Sequence, residues 1–177
     1  MTSSDLTVLP EGAKDEAAAR VGAVVDADGP STARVAFVCA EFNGGITARL
    51  LAGALDVLDE RGVAAADRAL VWVPGAFEAP LASARLAGTG RWDAVVCLGA
   101  VIRGDTGHYD FVAGQCAAGI QRVQLDTGVP VVFGVLTTDT VEQALERSLP
   151  DGTNKGREAS LVALAMASVV TGAGALA

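Results

Sequence analysis

Residues 95–111 read V-V-C-L-G-A-V-I-R-G-D-T-G-H-Y-D-F, and this stretch decides the class of fold. Its first half, Val95 to Ile102, is an apolar and largely β-branched run, the pattern of a strand buried on both faces. Its second half, Arg103 to Asp110, is polar and glycine-rich and holds His108, the only histidine of the chain. Open parallel sheets bind ligands where buried strands empty into loops of this kind. Gly104-Asp105-Thr106-Gly107 offers backbone amides, a hydroxyl and a flexible turn, which suit an anion such as phosphate. Taken alone, the segment reads equally well as a plain strand-to-helix loop with a surface histidine.

Working outward, strand and helix patterns alternate. Residues 34–40 form a short buried strand, followed by a helix over 46–61 with apolar residues at helical spacing and Gly62 as its stop. Residues 69–73 form a strand ended by Pro74-Gly75, and 76–87 a helix that tolerates Pro80 in its first turn. The quoted stretch supplies a strand over 93–101 and a helix over 109–125, closed by Asp126-Thr127-Gly128. A fourth strand over 130–136 precedes a helix over 139–149, with Asp139 and Glu142 spaced as a capping box. A last helix, over 156–170, is apolar around most of its circumference. This alternation with short connections predicts a flavodoxin-like three-layer α/β/α sandwich around a four-stranded parallel sheet.

Composition narrows the function. The 177 residues suffice for one domain with a full core. With 51% hydrophobic residues and a mean hydropathy of +0.40, part of the surface is expected to be hidden in subunit contacts. A net charge of −8 argues against nucleic acid as a partner. No apolar run reaches membrane length, and no basic segment precedes an apolar one at the start, so a cytoplasmic protein is expected. Cys39, Cys97 and Cys116 lack metal-ligand spacing and read as reduced core thiols. Residues 1–30 carry six acidic and two basic side chains, half of the net charge, with few large apolar residues. They read as a disordered acidic extension, with a short helix near 13–21, ahead of a domain over 31–177. The sequence contains neither a G-x-G-x-x-G nor a Walker loop, which disfavours dinucleotide or ATP binding.

In such a sheet the carboxyl ends of all strands share one edge. Three loops leave it with unusual residues: Glu41-Phe42-Asn43, Pro74 to Glu78, and Ile102 to Tyr109. Together they bring an aromatic face, a carboxylate, free amides, a hydroxyl and an imidazole to one place. That set suits a planar, hydrogen-bonding heterocycle together with an anionic co-substrate.

These loops carry a resemblance. F-N at 42–43, P-G-A-F-E-x-P at 74–80, L-G-A-V-I-R-G-D-T-x-H-Y-D-F-V at 98–112, G-V-P-V-V-F-G-V-L-T-T-D-T-x-E-Q-A-x-x-R at 128–147 and N-K-G at 154–156 strongly resemble the lumazine synthase family over residues 33–175. The resemblance implies a transferase of riboflavin biosynthesis. It would condense 5-amino-6-(D-ribitylamino)uracil with 3,4-dihydroxy-2-butanone 4-phosphate to 6,7-dimethyl-8-ribityllumazine, the penultimate step, without metal or organic cofactor. It further implies a homo-oligomer, either a pentamer or a pentamer-based shell of sixty subunits, and admits riboflavin synthase as a partner. Carried over position by position, Phe42 stacks on the pyrimidine, while Ala76, Phe77 and Glu78 line the ribityl site. The backbone of Ala100, Val101 and Ile102 reads the pyrimidine edge. Asp105, Thr106, Arg147 and Lys155 hold the phosphate, His108 carries protons, and Phe133 closes the pocket.

Chemistry agrees with these roles. The substrate amine is the nucleophile, so only proton transfer and orientation are required of the protein, and histidine carries protons near neutral pH. Arginine suits phosphate because its fork donates in bidentate fashion. Two departures stand out: Gly107 occupies a position where the family usually has proline or threonine, and Gln115 replaces a common glutamate. A non-catalytic paralogue that binds lumazine or flavin, or serves as a shell protein, is the competing reading. The intact set Phe42, Glu78, His108 and Arg147 speaks against it. A flavodoxin-like FMN carrier is disfavoured because Asn43-Gly44-Gly45 supplies a hydroxyl only at Thr47.

Overall fold

The structure is a computed structural model that describes residues 32–175, together with Ala19 in isolation. The expected acidic extension and its short helix lie outside the described residues.

Four strands, β1 (Val35–Ala40), β2 (Arg68–Val73), β3 (Ala94–Ile102) and β4 (Val131–Thr138), pair in parallel in the order β2-β1-β3-β4. Five α-helices accompany them among the described residues: α1 (Gly44–Glu60), α2 (Ala79–Ala87), α3 (His108–Thr127), α4 (Val141–Glu146) and α5 (Lys155–Gly174). The central strands β1 and β3 bury both faces, and their side chains alternate between two cores. Val35, Phe37, Val96 and Leu98 face α1 and α5, whereas Ala36, Val38, Val95 and Cys97 face α2 and α3. Period two in the strands thus makes the middle layer of a three-layer sandwich, as the continuous apolar runs predict.

Helix stops follow the backbone freedom of two glycines. Gly62 (φ 71°) ends α1: Val63 N–H donates to Leu58 O at 2.9 Å and Gly62 N–H to Asp59 O at 3.1 Å. This is a Schellman ending, with Val63 and Leu58 both in the core. Gly128 (φ 70°) ends α3 through its N–H to Gln124 O at 2.9 Å.

One element departs from expectation. The helix predicted over 139–149 is only Val141–Glu146, and its cap is Thr140 rather than Asp139. Thr140 Oγ1 accepts from Gln143 N–H at 3.2 Å, while Gln143 Oε1 accepts from Asp139 N–H at 3.0 Å. A variant of the capping box is therefore present one residue later, with Gln143 reaching past the Thr140 cap to Asp139 N–H. The helix stops early because Ser148 turns tightly onto Leu145 O, and Leu149 precedes Pro150, which disfavours helical backbone there. Residues 76–78, predicted as the start of a helix, form a 3₁₀ turn that leads into α2, with Pro80 in its first turn.

The order of winding reverses between β1 and β3, since β2 is added outside β1 and β4 outside β3 while all four strands stay parallel. Ligands of open parallel sheets lie beyond the carboxyl ends of strands at such a switch point.

Candidate active site

A pocket of about 740 Å³ opens at that switch point. Phe42 comes from the β1 loop, Ala76, Phe77 and Glu78 from the 3₁₀ turn after β2, and Ala100, Val101 and Ile102 from the end of β3. Thr106 and His108 come from the following loop and the start of α3. Nine predicted site residues are thus brought together by one sheet edge. Phe42 and Phe77 expose 73% and 56% of their surface, so their ring faces are open to a flat ligand.

Local geometry explains how the edge is held. Asn43 adopts left-handed backbone (φ 59°), and its carbonyl accepts from Ile46 and Thr47 N–H to start α1. Its side chain is not spent on that cap: Nδ2 reaches across to Ala100 O at 2.8 Å. Asn43 thereby ties the Phe42 loop to β3 and occupies the Ala100 carbonyl. The N–H of Phe42 donates to Pro74 O at 3.0 Å, joining the first loop to the second. In the third loop, Thr106 Oγ1 accepts from His108 N–H at 3.4 Å, and Asp110 N–H donates to Gly107 O at 3.2 Å. His108 is exposed at the first position of α3, where the helix dipole favours an anion. Asp105 is exposed in the same loop but does not line the pocket.

Arg147, Phe133 and Lys155 are elsewhere. They line a second depression of about 310 Å³ between β4 and α5. Arg147 is the C-cap residue of α4, exposed, with Nη1 donating to Gln143 O at 2.9 Å. Lys155 Nζ is held by both oxygens of Glu158 at 2.6 and 2.8 Å. Glu158 therefore pairs with Lys155, and the two cations that the resemblance assigns to phosphate share a wall separate from the His108 pocket.

Sequence reasoning named Tyr109 only as the end of a loop and passed over Phe111 and Val112. Tyr109, Phe111 and Val112 extend the apolar wall of the pocket along α3. Phe111 is 70% exposed, and an aromatic standing free beside the histidine in Y-D-F-V was the available signal. No His/Cys/Asp/Glu cluster able to hold a metal occurs among the described residues. The three cysteines are free and buried, and burial pushes the Cys39 and Cys97 thiols to about 12 and Cys116 to about 11. They are inert protonated thiols, unsuited as nucleophiles.

Residues 32–171 match the sequence profile of 6,7-dimethyl-8-ribityllumazine synthase. The chain belongs to that family. It is also 53% identical over 136 residues to the 6,7-dimethyl-8-ribityllumazine synthase of Protochlamydia amoebophila (strain UWE25), covering 77% of this chain and 79% of that protein. The family match spans every strand and both depressions, so the loops described above belong to the shared domain.

Proposed function

We propose that the chain is a 6,7-dimethyl-8-ribityllumazine synthase, joining 5-amino-6-(D-ribitylamino)uracil to 3,4-dihydroxy-2-butanone 4-phosphate with loss of phosphate and water. The observation that carries this reading is the convergence of Phe42, Glu78, Thr106 and His108 on one pocket in a chain of this family. Phe42 stacks on the pyrimidine, the backbone of 100–102 reads its edge, and Glu78 accepts from ribityl hydroxyls. Thr106 and the amides of the 104–108 loop hold phosphate, while His108 relays protons as the substrate amine attacks. Binding both reactants in one orientation supplies much of the rate, with proton transfer contributing about 10²–10⁴-fold.

The separate position of Arg147, Phe133 and Lys155 supports a site completed between subunits. A ring in which the β4–α5 depression of one subunit faces the His108 pocket of the next brings both halves together. We propose that ring to be a pentamer in the cytoplasm, an environment consistent with three free thiols. Its product would pass to riboflavin synthase.

Mixing the protein with both substrates and following lumazine fluorescence tests the activity; no product would overturn it. Arg147→Ala should raise KM for the butanone phosphate far more than for the pyrimidine, with Arg147→Lys recovering only part. Subunits carrying His108→Ala and Arg147→Ala should regain some activity when dissociated and reassembled together. Failure of that complementation would refute the shared site.

A further inference from the structure

Arg103 lies just before the 104–107 loop, and its guanidinium is held on three sides. Nη1 meets Asp110 Oδ1 at 3.3 Å, Nε meets Asp139 Oδ1 at 3.0 Å, and the group stacks over the Tyr109 ring at 4.0 Å. Tyr109 and Asp110 are the two residues immediately after His108. The side chain therefore spans the mouth of the loop, joining the residue before it to the two after it. Asp139 adds a third attachment, to the turn that caps α4. Arg103 N–H also donates to Thr138 O at 2.9 Å, so its own backbone is fixed to the end of β4.

From this geometry we infer that Arg103 is a positioning residue that closes the 104–108 segment, setting the loop amides, Thr106 and His108 for the phosphate-bearing substrate. The inference rests on the proposed function of that loop. Exposed ion pairs ordinarily contribute little, and a solvated surface arginine is the plain alternative. Three features lift Arg103 above it. A planar fork serves two carboxylates at once while stacked on a ring, which a lysine cannot reproduce. The loop it spans contains Gly104 and Gly107, and its internal hydrogen bonds are long, at 3.4 and 3.2 Å. And the same guanidinium reaches Asp139, at the head of the helix whose far end carries Arg147. Arg103 thus joins the segment bearing His108 to the one that presents Arg147 to the neighbouring site.

The test compares Arg103→Ala and Arg103→Lys with wild type, measuring kcat and the KM of each substrate, with thermal melting and native mass as controls. Arg103→Ala should raise KM for the butanone phosphate by about tenfold or more and lower kcat, since small misplacements of reacting groups cost factors of this size. KM for the pyrimidine should stay within about twofold, because Phe42 and residues 100–102 lie outside the closed segment. Arg103→Lys should recover less than half of the loss. In a His108→Ala background, Arg103→Ala should lower kcat little further. Should Arg103→Ala fail to fold, the Asp110→Asn/Asp139→Asn double variant removes both carboxylate partners and should shift the same KM in the same direction. Equal changes in both KM values, full rescue by lysine, or unaltered kinetics in these variants would overturn the inference. Unchanged turnover of His108→Ala alone would instead overturn the catalytic reading of the loop, and the KM effect of Arg103→Ala would survive it.

Discussion

The α1–α5 crossing and the 104–107 loop both rely on glycine, for opposite reasons. At the crossing, a Cβ on Gly156 would lie inside the Leu50 carbonyl, and one on Gly53 would meet Asn154 Oδ1 at 2.6 Å. In the loop, a Cβ on Gly104 or Gly107 meets nothing within 4 Å. Glycine in the first region permits backbone contact, and in the second it only leaves the chain free. The fold is therefore intolerant where the helices touch and permissive in the loop beside the candidate site.

Gly156→Ala should break the comparison most severely. The added methyl has backbone, not a movable side chain, in its way, so the helices must separate. A loss above about 3 kcal/mol is expected, lowering the melting temperature by about 6–12 °C or abolishing soluble protein. Gly104→Ala should leave the melting temperature nearly unchanged; equal melting of the two variants would dissolve the distinction.

Asn154→Ala comes next. Asn154 is 1% exposed and closes the crossing: Nδ2 donates to Arg49 O and Leu149 O, and Oδ1 accepts from Gly156 and Arg157 N–H as the cap of α5. Losing the cap together with both hydrogen bonds to the Arg49 and Leu149 carbonyls should cost about 2–3 kcal/mol by chemical denaturation. Asn154→Ser keeps a capping oxygen and should recover about 1 kcal/mol of it. An Ala variant as stable as wild type would mean that the crossing does not depend on this side chain.

Most of this division was legible in the sequence. The two central strands are readable because continuous apolar runs of six to nine residues have few other uses in a chain of this length. The pocket was legible because strand polarity alone puts the loops after β1, β2 and β3 on one edge. The short α4 was not, because Asp139, Thr140, Glu142 and Gln143 permit two capping boxes one residue apart, and only packing chooses between them. Asn154 and Gly156 were recognisable as a motif, N-K-G, but their contact with α1 joins residues about a hundred positions apart, which no local pattern displays. The second depression was not legible, because Arg147, Phe133 and Lys155 come from α4, β4 and α5 and only packing brings them onto one wall.

The opposite edge of the sheet is tied by charge. Arg34 Nη2 meets Asp93 Oδ1 at 2.9 Å, and Arg34 N–H donates to Asp93 Oδ2 at 2.7 Å, joining the starts of β1 and β3. Hydrogen bonding from Arg34 holds the Asp93 carboxyl below its ordinary range despite partial burial, which acts in the other direction. A depressed carboxylate contributes stability above its unfolded value near ~3.9 and loses it as pH falls through the folded value. Asp93→Asn should therefore melt a few degrees below wild type at neutral pH, the modest effect of a partly exposed pair. That gap should close as pH drops below about 3.9. A gap independent of pH would assign the effect to packing.

The smallest change sharpens the comparison from the loop side. Gly107 has φ −68°, within the range a proline ring imposes, and its N–H makes no hydrogen bond among the described residues. Open space surrounds the position where a ring would begin. Proline here removes freedom from the unfolded chain without removing a native contact, provided Thr106 accepts the extended backbone that proline favours before it. Gly107→Pro should then raise stability by about 0.4–1 kcal/mol, readable as a slightly higher denaturation midpoint. Its kinetic effect is more informative. If Arg103 restrains this loop, proline in the Arg103→Ala background should restore part of the lost affinity for the butanone phosphate, because both residues restrict the same segment by different means. In wild type, where Arg103 already closes the loop, the same proline should change that KM by less than about twofold. Improvement of equal size in both backgrounds would show that loop freedom and Arg103 act independently, and that Gly107 alone limits how well the phosphate side is organised.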